Sequence, residues 1–469
     1  MATAAMELLF AGNRIGHAQS DMSAFFAVAY DDPGRQIAAD FIGLSCESAI
    51  LADDELNASN SSLLGLIRLL GRKGVIRIGG NTSERTVWRA DANSTASSSF
   101  VITPASIDRL AACLRELGWK VIYGLNLARG TPEEAAAEAA YVSHALGDNL
   151  LAFQIGNEPD GFGRWTAVRP DTYDAMAFLR EWRSFHAAIR ARLPQARFAG
   201  PDTASEIDWV AALAEQRPDR LILLTHHYYA EGPAGAPHVT IANLLNSDSR
   251  LAPVLEKLAL YGRKYSLPYR VVETNSVYNE GQPGVSDTLA AALWGLELML
   301  EVAAAGAAGV NFHAGAHNLR PAEDKAYSPI ARNGPGQYRA TPIYYAMLAF
   351  ALFARGALLP ARLAPPSSHL KAFAVRAPQD NLHVFLINKN LARDVRVAID
   401  PGRHFHSFSI ARLVGPSVDA SRGITLGGSG VDELGAWSRA TPQRQRVAAG
   451  GEIAVAVPAA SAAVVSMQA

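Results

Sequence analysis

The apolar residues of this chain follow two rhythms. From Phe41 to about residue 355, short apolar runs alternate with amphipathic stretches of helical period, the pattern of βα units around a parallel sheet. Eight runs read as strands: Phe41–Ser48, Val75–Gly80, Lys120–Asn126, Leu150–Glu158, Arg197–Thr203, Leu221–Tyr229, Arg270–Thr274 and Gly309–Ala314. Helical patterns fall at Leu63–Leu70, Ile107–Leu117, Pro132–Leu146, Thr172–Arg192, Glu206–Gln216, Leu251–Tyr261, Thr288–Ala305 and Pro342–Phe353. Pro132 suits a helix start, because the N–H it lacks would be unpaired there. Eight strand–helix pairs predict a (β/α)8 barrel. From Leu370 the rhythm shortens to β-type runs separated by Gly/Pro-rich turns, Ala372–Arg376, His383–Asn388, Val395–Ile399, Phe408–Leu413, Glu452–Val457 and Ala462–Ser466. These predict an accessory β-sandwich. The run Met22–Tyr30 has no use in the barrel and is expected to join that sandwich. The fold class is α/β, a (β/α)8 TIM barrel with an accessory β-sandwich. Its expected divisions are 1–21 as a leader or tail, 22–40 as the joining strand, 41–355 as the barrel and 356–469 as the sandwich.

Polar residues gather at one end of the predicted strands: Ser45-Cys46-Glu47, Gly79-Gly80-Asn81, Asn126, Asn157-Glu158, Asp202, His226-His227-Tyr228-Tyr229, Glu273-Thr274-Asn275 and Asn311-Phe312-His313. In a (β/α)8 barrel these ends converge on the face that carries chemistry. Two of the ends are glutamates. Glu158 closes strand four within Phe153–Asp160, and Glu273 closes strand seven. These strands lie across the mouth from each other, so the two carboxylates can face one cavity. A pair about 5–5.5 Å apart defines a retaining glycosidase, in which one attacks the anomeric carbon and the other gives and then takes a proton. The plainer reading of Asn157-Glu158-Pro159 alone is a strand end with a solvated carboxylate. Tyr228, ending strand six beside strand seven, is placed to donate to Glu273. His226 and His227 point to opposite faces, and no third ligand follows at metal spacing, so no metal site is expected. Trp165, Trp209 and Trp294 read as helix packing, and Cys46 as a packed thiol.

Composition narrows the field further. The chain has 469 residues, 49% of them hydrophobic, enough for a large core. A formal net charge of −1 gives no global drive towards nucleic acid or membrane. Two cysteines exclude a dense disulfide framework. The most apolar stretch, Leu289–Ala308, is interrupted by Glu297 and Glu301 and reads as a buried barrel helix, not a membrane span. The first twenty residues lack the basic start, apolar stretch and cleavage site of an export signal. Localisation stays open: secreted or periplasmic if a signal has been removed, cytoplasmic otherwise. Oligomeric state is likewise open.

The stretches Phe41-Ile42-Gly43-Leu44-Ser45, Arg77-Ile78-Gly79-Gly80-Asn81, Gln154–Asp160, His226–Tyr229 and Glu273–Tyr278 carry a family resemblance. In order and spacing they resemble glycoside hydrolase family 79, the β-glucuronidases and heparanases, over nearly the whole chain from Phe41. The resemblance implies Glu158 as acid/base and Glu273 as nucleophile. It also implies Asn157 on the sugar 2-hydroxyl, Tyr228 holding the nucleophile, Glu47 near the outer hydroxyls, and Asn81 among the substrate-binding residues. Tyr278, the backbone at Gly281, and Tyr327 would hold the uronate carboxylate. No cofactor is implied. The implied partner is a glucuronic-acid-containing glycan, with no nucleic acid and no membrane. The loop Tyr278-Asn279-Glu280-Gly281 is less glycine-rich than the family's, so Glu280 is expected to point away; Gly315–Thr341 is longer than typical. Val87–Thr103 is short where exo-acting bacterial relatives carry a walling insertion, which favours an open cleft. Arg85, Arg89, Arg129, Arg164, Arg320, Lys325, Arg332 and Arg339 fall in loops at the mouth, where they could meet sulfate groups. The favoured expectation is an endo-acting retaining β-glucuronidase on heparan-sulfate-type polysaccharide. The alternatives are an exo-enzyme on small glucuronides and a non-catalytic uronate-binding barrel.

Overall fold

The structure, a computed structural model, describes residues 22–52, 55–91, 100–246, 249–313, 326–438, 440–447 and 453–468. The expected leader 1–21, Arg320 and Lys325 lie outside them. Eight parallel strands close into a barrel in chain order: β1 (Ile42–Glu47), β2 (Val75–Gly79), β3 (Lys120–Leu125), β4 (Leu150–Ile155), β5 (Phe198–Thr203), β6 (Leu221–Glu231), β7 (Tyr269–Val277) and β8 (Val310–His313), with β8 pairing back onto β1. Eight helices follow them: α1 (Ser61–Leu69), α2 (Pro104–Leu117), α3 (Pro132–Leu146), α4 (Ala175–Arg192), α5 (Asp208–Glu215), α6 (Leu251–Tyr265), α7 (Leu289–Ala304) and α8 (Pro342–Phe353). A short extra helix, Ile241–Leu245, sits in the β6–α6 connection. The expected (β/α)8 barrel with its β-sandwich is the observed architecture.

Local chemistry sets several helix starts. Thr103 and Thr131 cap α2 and α3 with reciprocal bonds from Ser106 and Glu134, and both helices carry proline in their first turn. Inside the barrel, Val75, Ile122, Ala152, Ala199, Leu223 and Val272 form a small apolar layer. Each fully buried Val or Leu there contributes roughly 1.5–3 kcal/mol. The next inward positions along the same strands, Arg77, Gln154 and Thr225, are polar and hydrogen-bonded to one another in series. An apolar floor beneath a polar layer gives the barrel a closed bottom and a reactive top.

The seam where the barrel closes is stitched by side chains. Arg270 donates to Asn311 Oδ1 at 2.6 Å and to the Phe41 carbonyl at 2.8 Å, while Asn311 donates to the Leu44 and Val75 carbonyls. These bonds tie β7, β8, β1 and β2 together although β8 is only four residues long.

The accessory domain packs a four-stranded sheet against an eight-stranded one. Met22–Val28 lies in the four-stranded sheet, parallel to Val395–Asp400 and antiparallel to Ala361–Ala364. Along Leu382–Asn388 in the larger sheet, Leu382, Val384 and Leu386 enter the sandwich core while Phe385 and Ile387 join the barrel-side core. Both faces of that strand are covered, which is why it reads as a continuous apolar run. At this junction Glu297 of α7 meets Lys389 at 2.7 Å and Lys371 at 3.1 Å, and Glu301 meets Lys371 at 2.8 Å. The two glutamates that interrupt the apolar stretch therefore anchor the sandwich. No helix among the described residues is long and apolar enough to cross a membrane.

Candidate active site

Arg77, fully buried on β2, organises the mouth of the barrel. Its Nε donates to Gln154 Oε1 at 3.1 Å, and its Nη1 to Ser45 Oγ at 3.2 Å and Glu273 Oε2 at 2.6 Å. Its Nη2 donates to Asn157 Oδ1 at 2.6 Å and to Asp202 Oδ2. Burial works against the charge, but Asp202 and Glu273 outweigh it and push the guanidinium's pKa above its usual range. A buried cation is tolerated only when paired and hydrogen-bonded on every side, as here. The sequence showed Arg77 as part of a motif but gave no sign that five groups would converge on it.

Glu273 receives the Tyr229 hydroxyl on Oε1 at 2.8 Å and Arg77 on Oε2 at 2.6 Å, with His313 Nδ1 3.6 Å from Oε2. Burial pushes its pKa up, yet His313, His227 and Arg77 together hold it down at about 2. The carboxylate stays ionised at any ordinary pH.

The expected donor to Glu273 was Tyr228; the hydroxyl that reaches it is that of Tyr229. The inward positions of β6 run Leu223, Thr225, His227 and Tyr229, while Leu224, Tyr228 and Ala230 belong to the core outside the barrel. The alternation that separates His226 from His227 therefore also separates Tyr228 from Tyr229.

Glu158 follows β4 in a left-handed conformation, φ 46° and ψ 51°. A residue with a side chain pays for this backbone, and the surroundings must hold it. Its N–H donates to the Asp202 carbonyl at 2.9 Å, and its own carbonyl accepts the Gly161 N–H at 2.8 Å. Its Oε1 lies 2.8 Å from His227 Nδ1, and His227 Nε2 lies 2.7 Å from Asp202 Oδ1. Burial raises the Glu158 pKa first; the Glu273 and Asp160 charges add to this, against the lowering bond and charge of His227. Burial pulls His227 down, but Asp202, Glu273 and Glu158 outweigh it and push it well above its usual range. Oxygens of Glu158 and Glu273 lie within 4.8 Å of each other, with a His227 nitrogen inside the same limit. That cluster has the composition of a metal site, but both ring nitrogens of His227 are hydrogen-bonded to carboxylates. The imidazole serves as a donor between two acids.

The other expected residues surround this pair. Asn157 gives its carbonyl to Arg77, and its amide donates to Asn81 Oδ1 at 3.3 Å. Glu47 is buried, with Oε2 accepting the Thr82 N–H at 2.8 Å and the Thr82 hydroxyl at 2.7 Å. Gly80, at φ 70°, lets the chain pass over it; a Cβ there would lie 2.5 Å from Glu47 Oε2. The Tyr229 ring lies 6.3 Å from both Tyr278 and Tyr327, so three tyrosines share one side of the mouth. Gly281 packs against the Tyr327 backbone, and Glu280 is exposed. Of the loop arginines, Arg164 is paired with Glu206 and Arg332 with Glu55, while Arg85 lies over the Phe100 ring at 5.4 Å. Cys46 is buried, and burial pushes its thiol up to about 12.

Sequence reasoning missed Glu84. Its two carboxylate oxygens accept the backbone N–H groups of Asn157 and Ala128, each at 2.7 Å. One side chain thus clamps the end of β4 to the loop after β3. Burial pushes its pKa up to about 7 against those two bonds. The only signal was a Glu following Arg77–Asn81 with no apolar pattern around it. Trp165, read as helix packing, sits instead in the loop between β4 and α4 and is 54% exposed; Trp209 stacks on Phe178, and Trp294 is buried against Phe312.

Fold and mouth together define a class: a (β/α)8 barrel with an appended β-sandwich, whose strands four and seven each deliver a carboxylate to one polar cavity. No family model matches the chain. It is similar to a β-glucuronidase of Aspergillus niger, 28% identical over 329 residues, covering 61% of this chain and 60% of the relative. It is also similar to a β-glucuronidase of Neurospora crassa, 26% identical over 400 residues, covering 76% of this chain and 66% of the relative. The chain thus spans about three-fifths to two-thirds of the length of these relatives. Among solved structures, a 4-O-α-L-rhamnosyl-β-D-glucuronidase from Fusarium oxysporum superposes with a TM-score of 0.78 at 20% identity, covering 94% of this chain and 99% of that one. The relatives agree with the resemblance to the β-glucuronidase and heparanase family.

Proposed function

We propose that the protein is a retaining β-glucuronidase. The observation that carries this is the convergence of two carboxylates, from strands four and seven, on one cavity in differing surroundings. Glu273 is held ionised and Glu158 is pushed towards its protonated form, with their oxygens within 4.8 Å. An oxygen-to-oxygen approach that short supports the retaining arrangement, with carboxyl groups about 5–5.5 Å apart, over the inverting one, at about 6.5–9.5 Å. In this reading Glu273 attacks the anomeric carbon from the face opposite the leaving oxygen. Glu158 protonates that oxygen, then takes a proton from the water that releases the sugar. Asn157 is fixed by Arg77 and Asn81 with one N–H left for the 2-hydroxyl. Tyr278, Tyr327 and the backbone at Gly281 form the side towards the uronate carboxylate, and Glu47 meets the outer hydroxyls. The names of the two sequence relatives support glucuronic acid as the sugar.

Internal cleavage of heparan-type chains is the finer reading, supported by the short Val87–Thr103 segment. The second reading, removal of terminal glucuronic acid, is favoured by the ion-pairing of Arg164 and Arg332, which leaves fewer cations to meet sulfates. Incubation with an aryl β-glucuronide and with heparan sulfate, with products sized, tests both. Aryl hydrolysis with shortening of the polysaccharide supports the endo reading; free glucuronic acid alone supports the exo reading. No turnover of either, unchanged by Glu273→Gln, supports a non-catalytic barrel.

A further inference from the structure

We infer that the indole of Trp165 forms the floor of a leaving-group subsite and stacks on the C–H face of the pyranose that carries the scissile oxygen. The inference rests on the reading of Glu158 as the acid.

Among the described residues, Trp165 is one of few large apolar side chains left open to solvent, and its backbone is held there. The backbone N–H groups of Trp165, Arg164 and Thr166 all point at the Gly161 carbonyl, at 2.8, 3.1 and 3.3 Å. Gly161 is in turn tied to Glu158, its N–H meeting the Glu158 carbonyl at 2.8 Å. The ring lies against Gly161 so closely that a Cβ there would sit 2.2 Å from it. Only glycine lets an indole pack on that backbone. The ring therefore rests on the same turn that begins at Glu158, fixed in place with much of its surface uncovered.

An indole set on a tied turn next to the acid, with its outer surface open, offers a flat apolar platform with a polar edge to a ligand. The position says which ligand. An acid must reach the oxygen that departs, so the segment running on from Glu158 borders the leaving group and not the sugar being attacked. The preceding residue, Arg164, forms an exposed pair with Glu206 that offers a donor and an acceptor to sugar hydroxyls. An amphipathic ring fits a pyranose with equatorial substituents, whose flat C–H face stacks while its hydroxyls reach sideways.

The test compares two substrates. One is a disaccharide in which glucuronic acid is β-linked to a second pyranose; the other is β-D-glucuronyl fluoride, which loses fluoride and has no leaving-group sugar. Trp165→Leu is expected to lower kcat/KM for the disaccharide about tenfold or more, mainly through KM, the equivalent of about 1.4 kcal/mol. It should leave the fluoride within about twofold, and Trp165→Phe should recover most of the disaccharide activity. Equal losses on both substrates, or no loss on the disaccharide, overturn the inference. If the wild type hydrolyses neither substrate, the catalytic reading itself fails, an outcome distinct from a wild type that is active and indifferent to Trp165. Should Trp165→Leu not fold, Trp165→His takes its place as the variant expected to lose disaccharide activity, with Trp165→Phe still the one expected to keep it.

Discussion

The Tyr229 hydroxyl donates to Glu273 Oε1 at 2.8 Å, from the inward side of β6. A donor in this place favours the ionised carboxylate and so lowers its pKa. Tyr229→Phe removes it. The acidic limb of the kcat/KM profile should then move to higher pH, because Glu273 protonates sooner. The rate at the optimum should fall by about 10²–10³, the usual cost of one well-placed donor in a dry site. A pH–rate profile of the purified variant measures both.

His227 acts on the other limb. Its bond and its charge both lower the Glu158 pKa against the raising effect of burial. His227→Gln removes the charge, so the Glu158 pKa should rise and the basic limb should shift to higher pH. An unshifted limb would show that the proton on Glu158 is not under His227's control.

Arg77 sets the charge balance of the whole mouth. Arg77→Lys keeps a charge but loses the planar fork that serves Gln154, Ser45, Glu273, Asn157 and Asp202 together. Arg77→Met leaves Asp202 and Glu273 buried without their cation, a loss of about 3–5 kcal/mol of stability. Denaturant unfolding should therefore rank wild type above lysine above methionine, and kcat should fall steeply in both variants.

Glu84 touches no substrate in this account; it positions Asn157 and, through it, Glu158. Glu84→Gln sets an amide NH2 against one of two backbone N–H groups, at a cost of about 1–3 kcal/mol. We expect kcat to fall more than KM rises, with Glu84→Asp intermediate. A purely structural role would lower stability and leave the kcat-to-KM split unchanged.

Much of the barrel was legible because its strands are short apolar runs ending in polar clusters at a regular period. That rhythm located all eight strands and the helices between them. It also brought Glu158 and Glu273 to one cavity by strand number alone. What it could not supply was side-chain direction at a strand end. β6 places His227 and Tyr229 inward with an irregular register against β7, and a run of four polar residues does not say which pair faces in. Glu84 was invisible for another reason. It works through backbone N–H groups, which every residue but proline has, so no partner residue type marks it. Trp165 looked like packing because an exposed indole is uncommon; only the Gly161 platform shows why it stays outside.

Glu273 is the group proposed to bond to the sugar. A cyclophellitol-type epoxide bearing a carboxylate in place of the sugar's hydroxymethyl group traps such a nucleophile, and peptide mass mapping locates the adduct. A single adduct is expected, on the peptide carrying Glu273, and Glu273→Gln should abolish it. An adduct on Glu158, or covalent labelling that persists in Glu273→Gln, would contradict this assignment.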